Sequence, residues 1–358
     1  MRRIENRRLL QRVELLLRRR EVGPLLGLAI LVAVFGTMSD YLFSRQQVNG
    51  ITSLTASIGI VAIGVTLLMI AGEFDLSVGA VFAISAVMFG KLLGDYGIDP
   101  WLGLIIVSAL AGSIGLVNGI VTTWFGIPSF ITTLATFLVV GGVNLVITGG
   151  NTILFFGHSK VVSVLGGTIP GTTIQNRFLW FVGLTLLLWF VLERTPYGNW
   201  TAAAGGRGGV ARAMGVPTSR VKTINFVVCS IFAGLAGMMQ FASYGAASAN
   251  DGQDYNLLVI VAAVIGGTSL FGVTGTIIGT FIGALILGLL QAGLILVGVP
   301  GSWYTPLIGV ILVLAVIVNV RLSNLNLQMA FARLSIGGSR PGQEPGATPS
   351  PTGRTHGE

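Results

Sequence analysis

The chain has 358 residues, of which 53% are hydrophobic and only 9% charged, with a net charge of +8. Soluble domains carry about 25% charged residues, and a chain this apolar has too little polar surface to clothe a water-soluble globule. A soluble enzyme is thereby excluded, and the first expectation is a membrane protein.

The pattern of apolar runs selects helices over a barrel. Barrel strands alternate apolar and polar residues over about ten positions, whereas a helical span needs roughly 20 continuous apolar residues. GPLLGLAILVAVFGTMSDYLF (23–43) and RFLWFVGLTLLLWFVLER (177–194) are continuous. The chain opens with a basic segment, residues 1–22, in which eight arginines fall within the first twenty positions. Leu9, Val13 and Leu16 share a helical face there, so the segment reads as a juxtamembrane amphipathic helix rather than a nucleic-acid arm. The first apolar run lacks a small-x-small cleavage site and reads as a retained span. Cys229, the single cysteine, forms no intrachain disulfide.

Apolar runs near 24–43, 51–71, 76–93, 101–122, 129–148, 178–193, 223–243, 255–268, 273–296 and 304–320 give the expectation of an all-α polytopic membrane protein. Its membrane domain would cover 23–322 with about ten transmembrane helices, the run at 255–268 being short for the ~30 Å hydrocarbon core. Basic residues concentrate before 22, in the loop 194–222 and after 320, which places both termini and that loop in the cytoplasm. The nearly neutral loop 149–177 then lies outside. Residues 323–358, rich in Pro, Gly, Ser and Thr, read as a disordered cytoplasmic tail. GLVNGIVTTWFGIPSF from Gly115 and GLLQAGLILVGVPGSW from Gly288 share an amide (Asn118, Gln291) followed by Gly-aliphatic-Pro. Falling in the fourth and ninth spans, five apart and so opposite in orientation, they suggest inverted repeats over roughly 50–148 and 223–320.

Several chemistries have no motif. There is no GxxxxGK[ST], no HExxH and no Cys/His cluster in the sequence, so no nucleotide, metal or other cofactor is expected in this chain. GRGGVA (206–211) matches a dinucleotide fingerprint in form only, since no acid follows about 20 residues on. The stretch AGEFDLSVGA (71–80) places Glu73 and Asp75 between two apolar runs. Asp75 sits where it can cap the following helix, and Gly72 and Gly79 permit close approach of neighbouring backbone. The alternative is a direct proton or ligand site. Residues 209–215 predict a short helix ending at Gly215, before Pro217.

GEFDLSVGA, AGSIGLVNGIVTTWFGIPSFITTLAT (111–136) and the long stretch 202–294 resemble the permeases of bacterial ABC importers of the ribose/xylose type. The resemblance covers most of 50–320 and makes Asp75, Ser77 and Gly79 a family marker. It implies a permease in the cell membrane, working as a homodimer or with a paralogue. It also implies a separate cytoplasmic ATPase that binds ATP-Mg and an extracytoplasmic sugar-binding protein. Gly205, Gly206, Ala211 and Gly215 match the family's coupling-loop pattern, and Arg207 and Arg212 fall in the same stretch. Arg207 stands where the family usually has Asn. Asn118, Thr132, Thr133, Asn144, Gln240, Tyr244 and Gln291 are candidates to line the substrate path, although each can also bond between helices. Neutral amides and hydroxyls favour a neutral polar substrate over an ion. Other ligands (a polyol, a furanone, a nucleoside or a branched-chain amino acid) and a stand-alone secondary transporter are the competing readings.

Overall fold

A computed structural model describes residues 21–157 and 159–317. The basic stretch 1–20, His158 and the tail expected to be disordered lie outside the described residues. One compact unit runs to Ala315, and of the second only Val316 and Ile317 are described.

Helices dominate. In chain order they are α1 (Val22–Met38), α2 (Arg45–Ile70), α3 (Val78–Gly94), α4 (Pro100–Trp124), α5 (Ser129–Thr148), α6 (Lys160–Gly166), α7 (Asn176–Arg194), α8 (Pro196–Gly205), α9 (Gly208–Ala213), α10 (Thr218–Tyr244), α11 (Tyr255–Ile265) and α12 (Ile277–Leu296). A final apolar helix, α13, covers Gly301–Ile317. Six of them (α2, α4, α5, α7, α10 and α12) are long and apolar enough to cross a membrane, while α1, α3, α11 and α13 are shorter apolar helices.

Local chemistry sets the ends. Asp99 caps α4 by accepting from the N–H groups of Trp101 and Leu102, with Pro100 in the first turn, where a missing N–H costs nothing. Thr276 caps α12 through the Gly279 N–H at 2.8 Å. The expected span 24–43 ends early, at Met38, because Ser39 turns extended and accepts from the Tyr41 N–H to start a short 3-10 turn at Asp40–Phe43. The run at 255–268 likewise stops at Ile265, ahead of Gly266 and Gly267.

The core is built around α2, whose residues are buried without interruption from Thr55 to Ala71. Helices α7, α10, α11 and α12 pack around it, and α10 in turn packs along α3 and α4. By contrast α4, α5 and α7 expose many apolar side chains (Ile105, Val117, Leu138, Val139, Leu186 and Leu187 among them). On a chain of this composition, such a surface is made for lipid or for another apolar partner. The only sheet among the described residues is a two-residue ladder. In it β1 (Ile153–Leu154) pairs antiparallel with β2 (Ala246–Ala247), joining the 149–177 loop to the segment after α10.

Two interruptions organise the bundle. Between α2 and α3 the chain runs non-helically through 71–77, and between α10 and α11 through 245–254. The two meet. A side chain on Gly79 would collide with the carbonyl oxygen of Gly252, and the rings of Phe82 and Tyr255 lie 4.8 Å apart.

Candidate functional site

Residues 71–77 must satisfy their backbone groups without a helix, and neighbouring helices supply the partners. The Phe74 N–H donates to Ser129 Oγ at 3.1 Å and the Leu76 N–H to Thr133 Oγ1 at 3.1 Å, both on α5. Asp75 is fully buried. Its Oδ1 accepts from the Ser77 N–H at 2.8 Å and from the Ser77 hydroxyl at 2.5 Å. Asn118 Nδ2 on α4 donates to Ser77 Oγ at 2.9 Å, and Thr136 Oγ1 donates to Asn118 Oδ1 at 2.6 Å. A chain of polar side chains therefore ties the break to α4 and α5.

Asp75 departs from the expected role. Ser77 is the residue that precedes α3, and it makes no side-chain cap. Asp75 instead folds a tight local turn onto Ser77, and Ser77 carries the connection outward to Asn118. The second oxygen of Asp75, Oδ2, is buried without a partner. Glu73 faces the other way and pairs with Lys222 of α10 at 2.6 Å.

The 195–217 connection reaches the same break. Helix α8, starting on Pro196 after an extended Thr195, was absent from the sequence expectation. Its C-terminal Gly205 lies so close to α2 that a side chain there would meet the Ile70 carbonyl oxygen, and Gly72 and Gly272 complete a junction of three backbones. Gly72 and Gly272 have φ of +79° and +81°, which other residues adopt only with strain. The Tyr197 hydroxyl donates to Asn225 Oδ1 at 2.5 Å, and Asn225 Nδ2 reaches the Leu67 carbonyl at 3.4 Å. Helix α9 then projects with Arg207 before it, Ala211 buried, Val210 and Arg212 exposed, and Met214 exposed just past its end. The chain turns at Gly215 (φ +85°), close to where the short helix was expected to end. Gly206 continues the α8 end beside Val273.

The remaining candidates do not gather at one place. Asn118 and Thr133 belong to the network around Asp75. Thr132 Oγ1 and both amide atoms of Asn144 are buried on α5 without a partner. Gln240 and Gln291 are half-buried on α10 and α12. Tyr244, the last residue of α10, accepts through its hydroxyl from Arg177 of α7. Sequence reasoning missed Ser129, Thr136, Lys222, Asn225 and Arg177. The spacing of Ser129, Thr132, Thr133 and Thr136, at i, i+3, i+4 and i+7, was a readable signal of one polar helical face.

A bundle with six helices long and apolar enough to cross a membrane and two interrupted segments has the form of a multi-pass membrane protein. Comparison makes this specific: residues 47–316 match the family described as branched-chain amino acid transport system / permease component, and the chain belongs to that family. It is 33% identical over 305 residues to the ribose import permease protein RbsC of Bacillus subtilis (strain 168), covering 84% of this chain and 92% of that one. It is 32% identical over 302 residues to the fructose import permease protein FrcC of Rhizobium meliloti, covering 83% and 84%. To the D-allose transport system permease protein AlsC of Escherichia coli (strain K12) it is 31% identical over 296 residues, covering 82% and 90%. No solved structure matches the chain.

Proposed function

We propose that this chain is the membrane-spanning permease subunit of an ATP-driven importer that moves a monosaccharide across a bacterial cell membrane. A separate cytoplasmic ATPase hydrolyses ATP-Mg, an extracytoplasmic binding protein delivers the sugar, and a second permease copy or a paralogue completes the membrane path. The observation that carries this reading is the seat of α8 on the α2–α3 break. A push received at Arg207, Val210, Arg212 and Met214 reaches Gly72 and the Asp75 network through packed backbone. The names of the relatives, importers of ribose, fructose and allose, support a sugar as cargo.

In this reading all ten apolar helices lie at membrane depth, both termini are cytoplasmic, and two inverted repeats cover roughly 50–148 and 223–320. Support for the repeat comes from the backbone. Helices α2 and α10 have 26 and 27 residues, and each is followed by a non-helical break and a shorter helix. Gly126 and Gly298, from the two Gly-aliphatic-Pro motifs, both have positive φ (69° and 79°). Pro128 and Pro300 adopt φ, ψ of −52°, 133° and −55°, 137° as their chains enter α5 and a 3-10 turn at the start of α13. Breaks of this kind are where transporters of inverted-repeat design hold their cargo.

The test is uptake of labelled ribose, fructose and allose into vesicles. Transport is expected only with the ATPase, the binding protein and ATP present, and gradient-driven uptake by the purified chain alone would refute the proposal. Because Gly205 is part of the bundle, docking is best probed by replacing Arg207, Val210 and Met214 together rather than by deleting 202–217. The ATPase should then dissociate while the bundle stays folded.

A secondary-transporter reading rests on the unpartnered Asp75 Oδ2. Asp75→Asn discriminates, because it keeps an oxygen for Ser77 but removes the charge. Retention of most ATP-driven uptake is expected, and complete loss in a folded protein would favour a proton or ligand role for Asp75.

A further inference from the structure

Arg177 stands in the first turn of α7 and is only 2% exposed. Its Nη1 donates to Ser57 Oγ of α2 at 2.9 Å and its Nη2 to the Tyr244 hydroxyl at 3.0 Å, while its Nε is buried with no acceptor. The guanidinium carbon lies 5.2 Å from the centre of the Tyr244 ring. The ion pairs among the described residues, Lys91–Asp95 and Lys222–Glu73, leave Arg177 out. Asp251, on the nearby 245–254 segment, is engaged by the Ser248 N–H at 2.9 Å.

The positive charge is thus buried without a salt-bridge partner, at a helix N-terminus whose dipole adds to the positive potential. Isolation of this kind is costly, and an ionisable side chain inside a membrane bundle marks a pathway or ligand position. Arg177 also stands beside the second break. Tyr244 is the last residue before that break, and Tyr255, the first residue of α11 after it, faces Ser57. Near Tyr255 the buried hydroxyl of Tyr304 lacks a partner. Tyr244 is 59% exposed, so the group that covers the guanidinium is itself reachable.

Aromatic faces and hydroxyls suit a sugar, and the uncompensated guanidinium asks in addition for an anion. One fixed positive charge with a planar donor fork matches a singly charged carboxylate. A phosphate, with a charge of about −1.5 to −2, would remain under-neutralised. We propose that Arg177, with Ser57, Tyr244 and Tyr255, receives the carboxylate of a sugar acid (a uronate or an aldonate) at the α10–α11 break. This inference rests on the permease reading and narrows its substrate class.

The experiment compares matched pairs on the purified full-length chain in lipid nanodiscs by calorimetry: galacturonate with galactose, glucuronate with glucose, ribonate with ribose. At least one acid is expected to bind about tenfold or more tighter than its neutral partner. Arg177→Gln should abolish that preference and Arg177→Lys should retain part of it. Should the glutamine variant fail to fold, the wild-type pairs and the lysine variant still decide. The proposal is overturned if no acid in the panel is preferred, or if Arg177→Gln folds and keeps the preference. ATP-driven uptake, read separately with the partner subunits, keeps the two ideas apart. ATP-dependent import of the neutral sugars without any acid preference would leave the permease reading intact and refute this one. Acid binding without ATP-dependent uptake of any panel member would do the reverse.

Discussion

The two interruptions of the bundle solve the same backbone problem in opposite ways. Residues 71–77 are held from outside: Ser129 and Thr133 take their N–H groups, and Asn118, itself held by Thr136, anchors Ser77. Residues 245–254 are held largely by themselves and by a strand pair, through Ser248–Asp251, Asn250–Gln253 and the Ala246–Leu154 register. The charges differ as well. Glu73 is neutralised by Lys222, whereas Arg177 beside the second break forms no ion pair. A break woven into its neighbours is suited to transmit force, and a break that is self-contained beside an unmatched charge is suited to rearrange around a ligand.

Three substitutions can break or sharpen this contrast. Gly205→Val is expected to have the largest effect, because its side chain meets the Ile70 carbonyl and cannot be accommodated without moving α8. A stability loss of about 3 kcal/mol and loss of transport are expected, measured by thermal unfolding in detergent and by vesicle uptake. Near-normal stability would show that α8 is not seated on the first break. Asn118→Leu comes next. It leaves the half-buried Thr136 hydroxyl without its acceptor and Ser77 Oγ without the donor from α4, and should cost about 2 kcal/mol, read from the same unfolding curves. Asp251→Asn should be smallest, at about 0.5 kcal/mol, since the amide oxygen still accepts from Ser248. If Asp251→Asn costs as much as Asn118→Leu, the second break is not self-held and the contrast fails.

The six long helices were legible in the sequence because apolar runs of 19 to 27 residues leave little else for the backbone to do inside a bilayer. The positive-φ turns at Gly126 and Gly298 were foreshadowed by their Gly-aliphatic-Pro motifs. Other features were hidden by the way a sequence is read. Arg177 looked like a charge flanking a span, and only the packing of α7 against Ser57 and Tyr244 makes it interior. Helix α8 lay in a loop of Gly, Ala and polar residues, although Thr195-Pro196 is a fair helix start. Of the pore candidates, Asn118 and Thr133 are drawn into the first break, whereas Gln240 and Gln291 remain apart, because the faces helices present depend on rotations that periodicity alone does not fix.

The junction of Gly72, Gly205 and Gly272 has a mechanical meaning. Side chains joining two moving parts take up displacement by changing rotamer, so small shifts at one end are lost before they reach the other. Three glycines have no rotamers to change, and main chain rests on main chain. Main chain resting on main chain leaves no side chain to take up a shift between α8 and the end of α2, so this joint is stiff wherever the two elements move relative to one another.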